Sequence, residues 1–283
     1  MHLARTLTHG LEAIHALAYF DRDVQAAWAE VGLKGYWMGY FASRAAPMGE
    51  VTAGTVEATF ASFAPRLVRR AIPDAWTFAS PAAVLMARDD AVADVLEALW
   101  ADQDDGLVAD VAARCRTFAQ GIDVPGARGN LPLYAANAAR EWDERSELVV
   151  FHAATLAREY RGDLHQCLLV AHDVDPIEAN VLAGAGPYYD ATWIRQSRSW
   201  DDDVWDAAVQ RLVDRDWLSG DGDLTDRGRD WRRDLERRTD ELAAGPVRRF
   251  GTDATERLVA DLAPLVAAAR ARLPASAPQA GGG

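Results

Sequence analysis

Residues 211–236 read RLVDRDWLSGDGDLTDRGRDWRRDLE, and this stretch decides the fold. Two short pieces suited to extended backbone, Trp217-Leu218 and Leu224-Thr225, flank the run Ser219-Gly220-Asp221-Gly222-Asp223. Gly and Asp tolerate the left-handed backbone of a tight turn, so a small β-hairpin is expected here. Thr225 is placed to cap a following helix that reaches Ala243, with Trp231, Leu235 and Leu242 on its apolar side. Upstream, Asp175-Pro176 is a cap followed by proline at the first helical position, which starts a helix over 177–182. Gly184, Gly186 and Pro187 end that helix. A second short helix is expected over 191–196. A third follows a cap at Ser199, with Val204, Ala208, Leu212 and Val213 facing inward.

Helices, a hairpin wing and a closing helix in this order make a winged helix. Residues 211–236 resemble the recognition-helix end, wing and following helix of MarR-type regulators, and the likeness extends over about 70 residues from Asp175. The N-terminal part is not MarR-like. Taken whole, the chain resembles the SalK-like helix-turn-helix proteins of actinobacteria. The resemblance rests on residues 12–16 (EAIHA), 35–47 (GYWMGYFASRAAP) and 152–165 (HAATLAREYRGDLH). It implies a mostly α fold, in which an N-terminal multi-helix domain precedes a MarR-like winged helix with a short β-hairpin wing and a C-terminal helix. It also carries that family's regulatory label.

Outward from the winged helix, most of the sequence repeats at helical period. Residues 3–20 place Leu7, Leu11, Ile14, His15 and Ala18 on one face, and residues 24–31 form a short helix closed by Gly32 and Gly35. The segment 36–45 is nearly all aromatic or small, the pattern of a helix buried on more than one side. Thr55 caps a stretch to Arg70 carrying Phe60, Phe63 and Leu67, which Pro65 should kink or break. Pro81 opens another helix over 82–99. Helix returns over 148–160, Arg161 and Gly162 interrupt it, and Asp163 caps a new one to about His172. Residues 121–133 (GIDVPGARGNLPL) are the clearest internal break. The expected division is a helical domain over 1–120, a loop and linking helices over 121–174, the winged helix with C-terminal helices over 175–273, and a disordered tail over 274–283.

Composition narrows the function. Of 283 residues, 49% are hydrophobic and 26% charged, and net charge is −13 with Lys34 as the only lysine. Such a surface repels phosphate backbones and anionic lipid unless a basic patch is concentrated somewhere. No run approaches a membrane span and the N-terminus does not read as a signal peptide, so a cytoplasmic location is expected. Cys115 and Cys167 lack CxxC spacing and are expected to be free thiols. HExxH, GxGxxG, P-loop, GxSxG and zinc-finger spacings are all missing from the sequence.

The expected recognition helix begins with Asp201, Asp202, Asp203 and Asp206, and the wing tip holds Asp221 and Asp223. Residues 190–249 hold 12 arginines against 15 carboxylates. The cluster Arg227, Arg229, Arg232, Arg233, Arg237 and Arg238 reads as a solvated face paired with Asp230, Asp234 and Glu241. DNA is therefore not the expected partner, and the winged helix is expected to serve as a scaffold or dimer element, with a homodimer left open.

Candidate chemistry falls in the helical part. Tyr36, Trp37, Tyr40 and Arg44 suit a pocket for a flat ligand with Arg44 meeting an anionic group, or simply a core helix. His152 and Glu159 are two turns apart on one helix face. His152 or His165 suits acid–base work, oriented by Glu159 or Asp163. With His15, His152 and His165 would alternatively supply a metal or haem site. Arg161 either binds ligand or fastens the turn with Asp163. The bland reading of each histidine is a satisfied core group. The expected function is a small-molecule-binding protein or enzyme whose winged helix has lost DNA binding. The alternatives are a ligand-responsive regulator and a purely structural interaction protein.

Overall fold

In the computed structural model, residues 3–122, 126, 129–187 and 189–274 are described. Most of the expected tail, the middle of the 121–133 break and His2 lie outside them. The helices are α1 (Leu3–Phe20), α2 (Arg22–Glu30), α3 (Gly35–Ala45), a 3-10 turn (Ala46–Met48), α4 (Ala53–Thr59), α5 (Pro65–Arg69), α6 (Ala75–Phe78), α7 (Pro81–Trp100), α8 (Asp105–Gln120) and α9 (Pro132–Ala138). They continue with α10 (Ser146–Ala171), α11 (Pro176–Gly184), α12 (Ala191–Arg198), α13 (Asp202–Asp214), α14 (Asp226–Ala243), α15 (Gly245–Phe250) and α16 (Thr252–Arg272). No helix among the described residues is long and apolar enough to cross a membrane.

Local chemistry sets many of the boundaries. Ser80 accepts from the Ala83 amide and Pro81 occupies the first helical position of α7. Asp175 and Glu178 form a reciprocal capping box at α11, with Pro176 just inside. Thr225 caps α14 through the Gly228 amide. Other boundaries move: Thr52, not Thr55, caps α4. Ser199 closes α12 in the left-handed conformation instead of opening α13, whose N-cap position is Asp201. Pro65 does break the 55–70 stretch, because it opens the separate helix α5.

The hydrophobic side chains gather in two clusters. The larger holds α1–α9, the first half of α10, and α15 and α16. The smaller is built from the end of α10 and from α11, α12, α13 and α14, around Ile177, Val181, Ile194, Trp205, Leu212 and Leu235. The 26-residue α10, about 39 Å long, runs through both and connects them. On α13 the inward positions are Trp205, Ala208 and Leu212, whereas Val204 points out, as does Leu242 on α14. Gly39 lets α3 approach α2 closely: a Cβ there would overlap the Trp28 ring, with Cδ2 at 2.7 Å.

Two expectations fail. The β-hairpin wing is not formed: among the described residues there is no strand or sheet, and Leu218 and Leu224 make only one isolated bridge. Two extended residues on each side cannot build a ladder, and no third strand lies beside them. The loop is fixed instead by ring stacking of Trp217 on Trp231 at 4.2 Å and by the Arg215 guanidinium over Trp217 at 3.8 Å. The winged-helix assignment is thereby corrected to an all-helical unit, while the mostly α expectation stands.

The second failure is the break at Arg161-Gly162. One uninterrupted helix passes through it. A helical glycine costs only about 1 kcal/mol relative to alanine. Against that, the flanking side chains find partners only in helical register. Arg161 pairs with Glu236 at 2.7 Å and Asp240 at 3.3 Å, Asp163 accepts from the Tyr134 amide at 3.0 Å, and His165 meets Thr239 at 3.0 Å.

Candidate functional site

A cavity of about 520 Å³ lies where the two clusters meet, between α1, α3 and α10 on one side and α11, α12 and α14 on the other. Its bundle wall carries Tyr19, Tyr36, Trp37 and Tyr40, and its other wall Tyr189 and Trp193. Tyr36 and Tyr40 lie 6.0 Å apart at 29°, and Tyr189 and Trp193 lie 6.2 Å apart at 10°. The α3 face that read as either core or pocket serves both purposes: Met38, Phe41 and Ala42 face the core while Tyr36, Trp37, Tyr40 and Arg44 reach the cavity.

At the bundle side sits Glu159, only 1% exposed. Arg158 donates to its Oε2 at 2.7 Å, Arg44 reaches both oxygens at 3.4 and 3.5 Å, and His15 Nε2 is 3.8 Å away. Burial alone would raise the Glu159 pKa, but Arg158, then Arg44 and His15, outweigh it and hold the carboxyl at about 2. A carboxylate so strongly acidified is a poor proton acceptor near neutral pH, so its geometry is that of a counter-ion. Arg44 is likewise engaged. Burial works against its charge, yet Glu159 raises its pKa.

Two histidines line the cavity in matching arrangements. The Thr155 hydroxyl lies 2.9 Å from the Phe151 carbonyl and 3.1 Å from Nδ1 of His15. The Thr239 hydroxyl lies 2.9 Å from the Leu235 carbonyl and 3.0 Å from Nδ1 of His165. Each hydroxyl thus bridges an imidazole and a helix carbonyl, and holds the ring in place against the cavity. Burial is the main cause holding both imidazoles neutral, with pKa values lowered to about 3. Asp163, raised to about 6 chiefly by burial, is the other titratable group nearby.

The remaining candidates lie elsewhere. His152 and Arg161 are not among the residues lining the cavity. His152 packs 4.5 Å from the Trp142 ring, its Nε2 buried and without a partner. Arg161 is committed to Glu236 and Asp240 on α14. His15, His152 and His165 do not come together as a three-histidine metal site, since no group of three metal-ligating side chains occurs among the described residues. The reason is helical geometry. On one straight helix, residues thirteen apart stand about 20 Å and about 220° from each other.

Sequence reading did not anticipate the wall from α12. Its Arg198 lines the cavity, with its guanidinium 4.5 Å from the Phe63 ring and 5.5 Å from the Trp193 ring. The only signal was the aromatic and basic density of residues 189–198 (YDATWIRQSR). The turn after α12 is clasped to the bundle. The Ala64 amide donates to the Arg198 carbonyl at 3.0 Å, Arg66 Nε donates to the Ser199 carbonyl at 2.9 Å, and Arg66 pairs with Asp201 at 2.6 Å. Asn180 and Trp200 both donate to the Ser62 carbonyl, at 2.8 and 3.2 Å.

The helices α12 and α13, joined by three residues, both pack on α11, which is the arrangement of a helix–turn–helix unit. The chain finds no match among curated proteins or among solved structures. A family model described as a helix-turn-helix family does match, over residues 4–275. That match takes in the bundle as well as the α12–α13 unit, and the chain belongs to this helix-turn-helix family.

Proposed function

We propose that the protein binds a small organic molecule in the cavity between the helical bundle and the helix–turn–helix unit. The observation that carries this reading is the cavity itself. Its volume of about 520 Å³ falls within the range of ligand sites, and aromatic rings from both clusters line it with a few fixed polar groups. The neutral rings of His15 and His165 would offer hydrogen-bonding nitrogens to a bound ligand.

In this reading the helix–turn–helix unit is not a DNA reader. Asp202 and Asp206 stand exposed at the start of α13 with side chains 87% and 73% accessible, where a phosphate would meet carboxylates. On α14, Arg229, Arg233 and Arg237 are paired with Asp226, Asp230, Asp234 and Glu241 along the same helix. A thermal-shift screen of planar organic compounds tests the proposal. At least one compound should raise the midpoint of the wild type and lose its effect in Trp193→Ala. Shifts that persist in that variant would place binding elsewhere.

A second reading, a ligand-responsive regulator, is favoured by one observation: α12 is at once a cavity wall and the first helix of the helix–turn–helix unit. Membership of the helix-turn-helix family supports it. A ligand held there would act on the clasp between Arg66 and the 199–201 turn. Gel retardation at low salt separates the readings. A regulator shifts DNA, with affinity falling steeply as salt rises.

A further inference from the structure

The cations around the cavity are unequally served. Arg44 and Arg158 share the single carboxylate of Glu159. Arg232 donates to the Leu182 carbonyl. Glu236, another of the carboxylates lining the cavity, is held by Arg161 and Arg5. Arg198 has no ion pair among the described residues, and its Nε is buried without a hydrogen-bond partner. What surrounds it is aromatic: Phe63, Trp193 and, through their fields, Tyr40, Tyr189 and Tyr36. A guanidinium keeps its charge at any physiological pH, and leaving it desolvated without an anion is costly.

We propose, resting on the cavity reading above, that the ligand is a planar organic carboxylate whose acid group is received by Arg198 and whose ring lies among the facing aromatic side chains. A fork of parallel N–H donors suits a carboxylate, and one unengaged guanidinium matches one negative charge. A phosphate dianion would call for a second free cation or a nest of backbone amides, and Arg44 and Arg158 are already occupied. Tyr189 and Trp193 on one wall and Tyr36 and Tyr40 on the other give the flat surfaces that a ring system can lie against. Glu12 also lines the cavity. Burial, as the first cause, raises its pKa. The preference for an anion would thus be local, set within a chain whose net charge is −13.

The test compares two ligands with the same ring and different charge, naphthalene-2-carboxylate and naphthalene-2-carboxamide, by isothermal titration of the full chain. Wild type should bind the carboxylate roughly tenfold more tightly than the amide. Arg198→Gln should bring the two within about threefold of each other by weakening only the carboxylate. Equal binding of both by wild type would overturn the carboxylate inference and leave the cavity reading intact. Binding of neither would overturn both. Inorganic phosphate that competes with the carboxylate at equal concentration would replace the inference with a general anion site. If Arg198→Gln does not fold, the wild-type ratio alone decides.

Discussion

Replacing Glu159 by glutamine keeps the shape of the side chain and removes the charge that Arg44 and Arg158 share. The structure sets the size of the effect in two ways. The carboxyl is held at about 2 against an ordinary 4.5, and at about 1.4 kcal/mol per pH unit the charged form is favoured by roughly 3 kcal/mol. Independently, stripping one partner from a buried ion pair costs about 3–5 kcal/mol, and Glu159 is 1% exposed. A loss of 3–4 kcal/mol lowers the unfolding midpoint by roughly 6–15 °C in a chain of this size. Differential scanning calorimetry at pH 7 reads it, with Glu57→Gln as control, since the Glu57–Arg69 pair involves an arginine side chain that is 66% accessible. Because the Glu159 pKa is depressed on folding, its contribution is complete above about pH 4.5 and lost as pH falls toward 2. The gap between wild type and variant should therefore narrow below pH 4.5. A Glu159→Gln midpoint within about 2 °C of wild type at pH 7 would refute the counter-ion role.

Acid should destabilise the protein well above the usual carboxylate range. His15, His152 and His165 are each lowered to about 3, first by burial, so the unfolded chain takes up three protons near pH 6.5 that the folded chain refuses. Asp163, raised to about 6, works the other way and offsets about one of them. The net loss near pH 5 is about 2.7 kcal/mol per pH unit, and urea midpoints at pH 7, 6 and 5 that do not fall would contradict it. Gly39→Ala should cost about 1–3 kcal/mol through overlap with Trp28, measured by urea unfolding at constant slope. A thiol reagent should titrate Cys167 in the native protein, whereas Cys115, buried and pushed up to about 12 by that burial, should react only on unfolding. Two fast-reacting thiols in the native protein would contradict the burial of Cys115.

Much of the helical order was legible because caps are local. Asp175-Pro176, Ser80-Pro81 and Thr225 each satisfy backbone amides within four residues, and no distant partner is needed. The failures share the opposite property. Gly162 looked like a break because the partners that hold α10 together there, Glu236, Asp240, Thr239 and the Tyr134 amide, are remote in sequence. The loop at 219–223 looked like a hairpin because turn residues were present, while the strand pairing that a hairpin needs was not testable from one chain segment.

The cavity was legible on one side only. His15, Tyr36, Tyr40, Arg44, Glu159 and His165 do line a common space, since each sits on the inward face of a long periodic helix. His152 shares that periodicity but faces Trp142. Tyr189, Trp193 and Arg198 come from a short helix whose role depends on how the two clusters dock, which no local pattern encodes.

Ligand binding in the cavity is read directly from a crystal structure of the protein soaked with the best compound from the thermal-shift screen. The compound should lie between the two aromatic walls, in contact with both Tyr40 on α3 and Trp193 on α12. Density for the compound at any other site, with this cavity unoccupied, would contradict the assignment of the cavity as the ligand site.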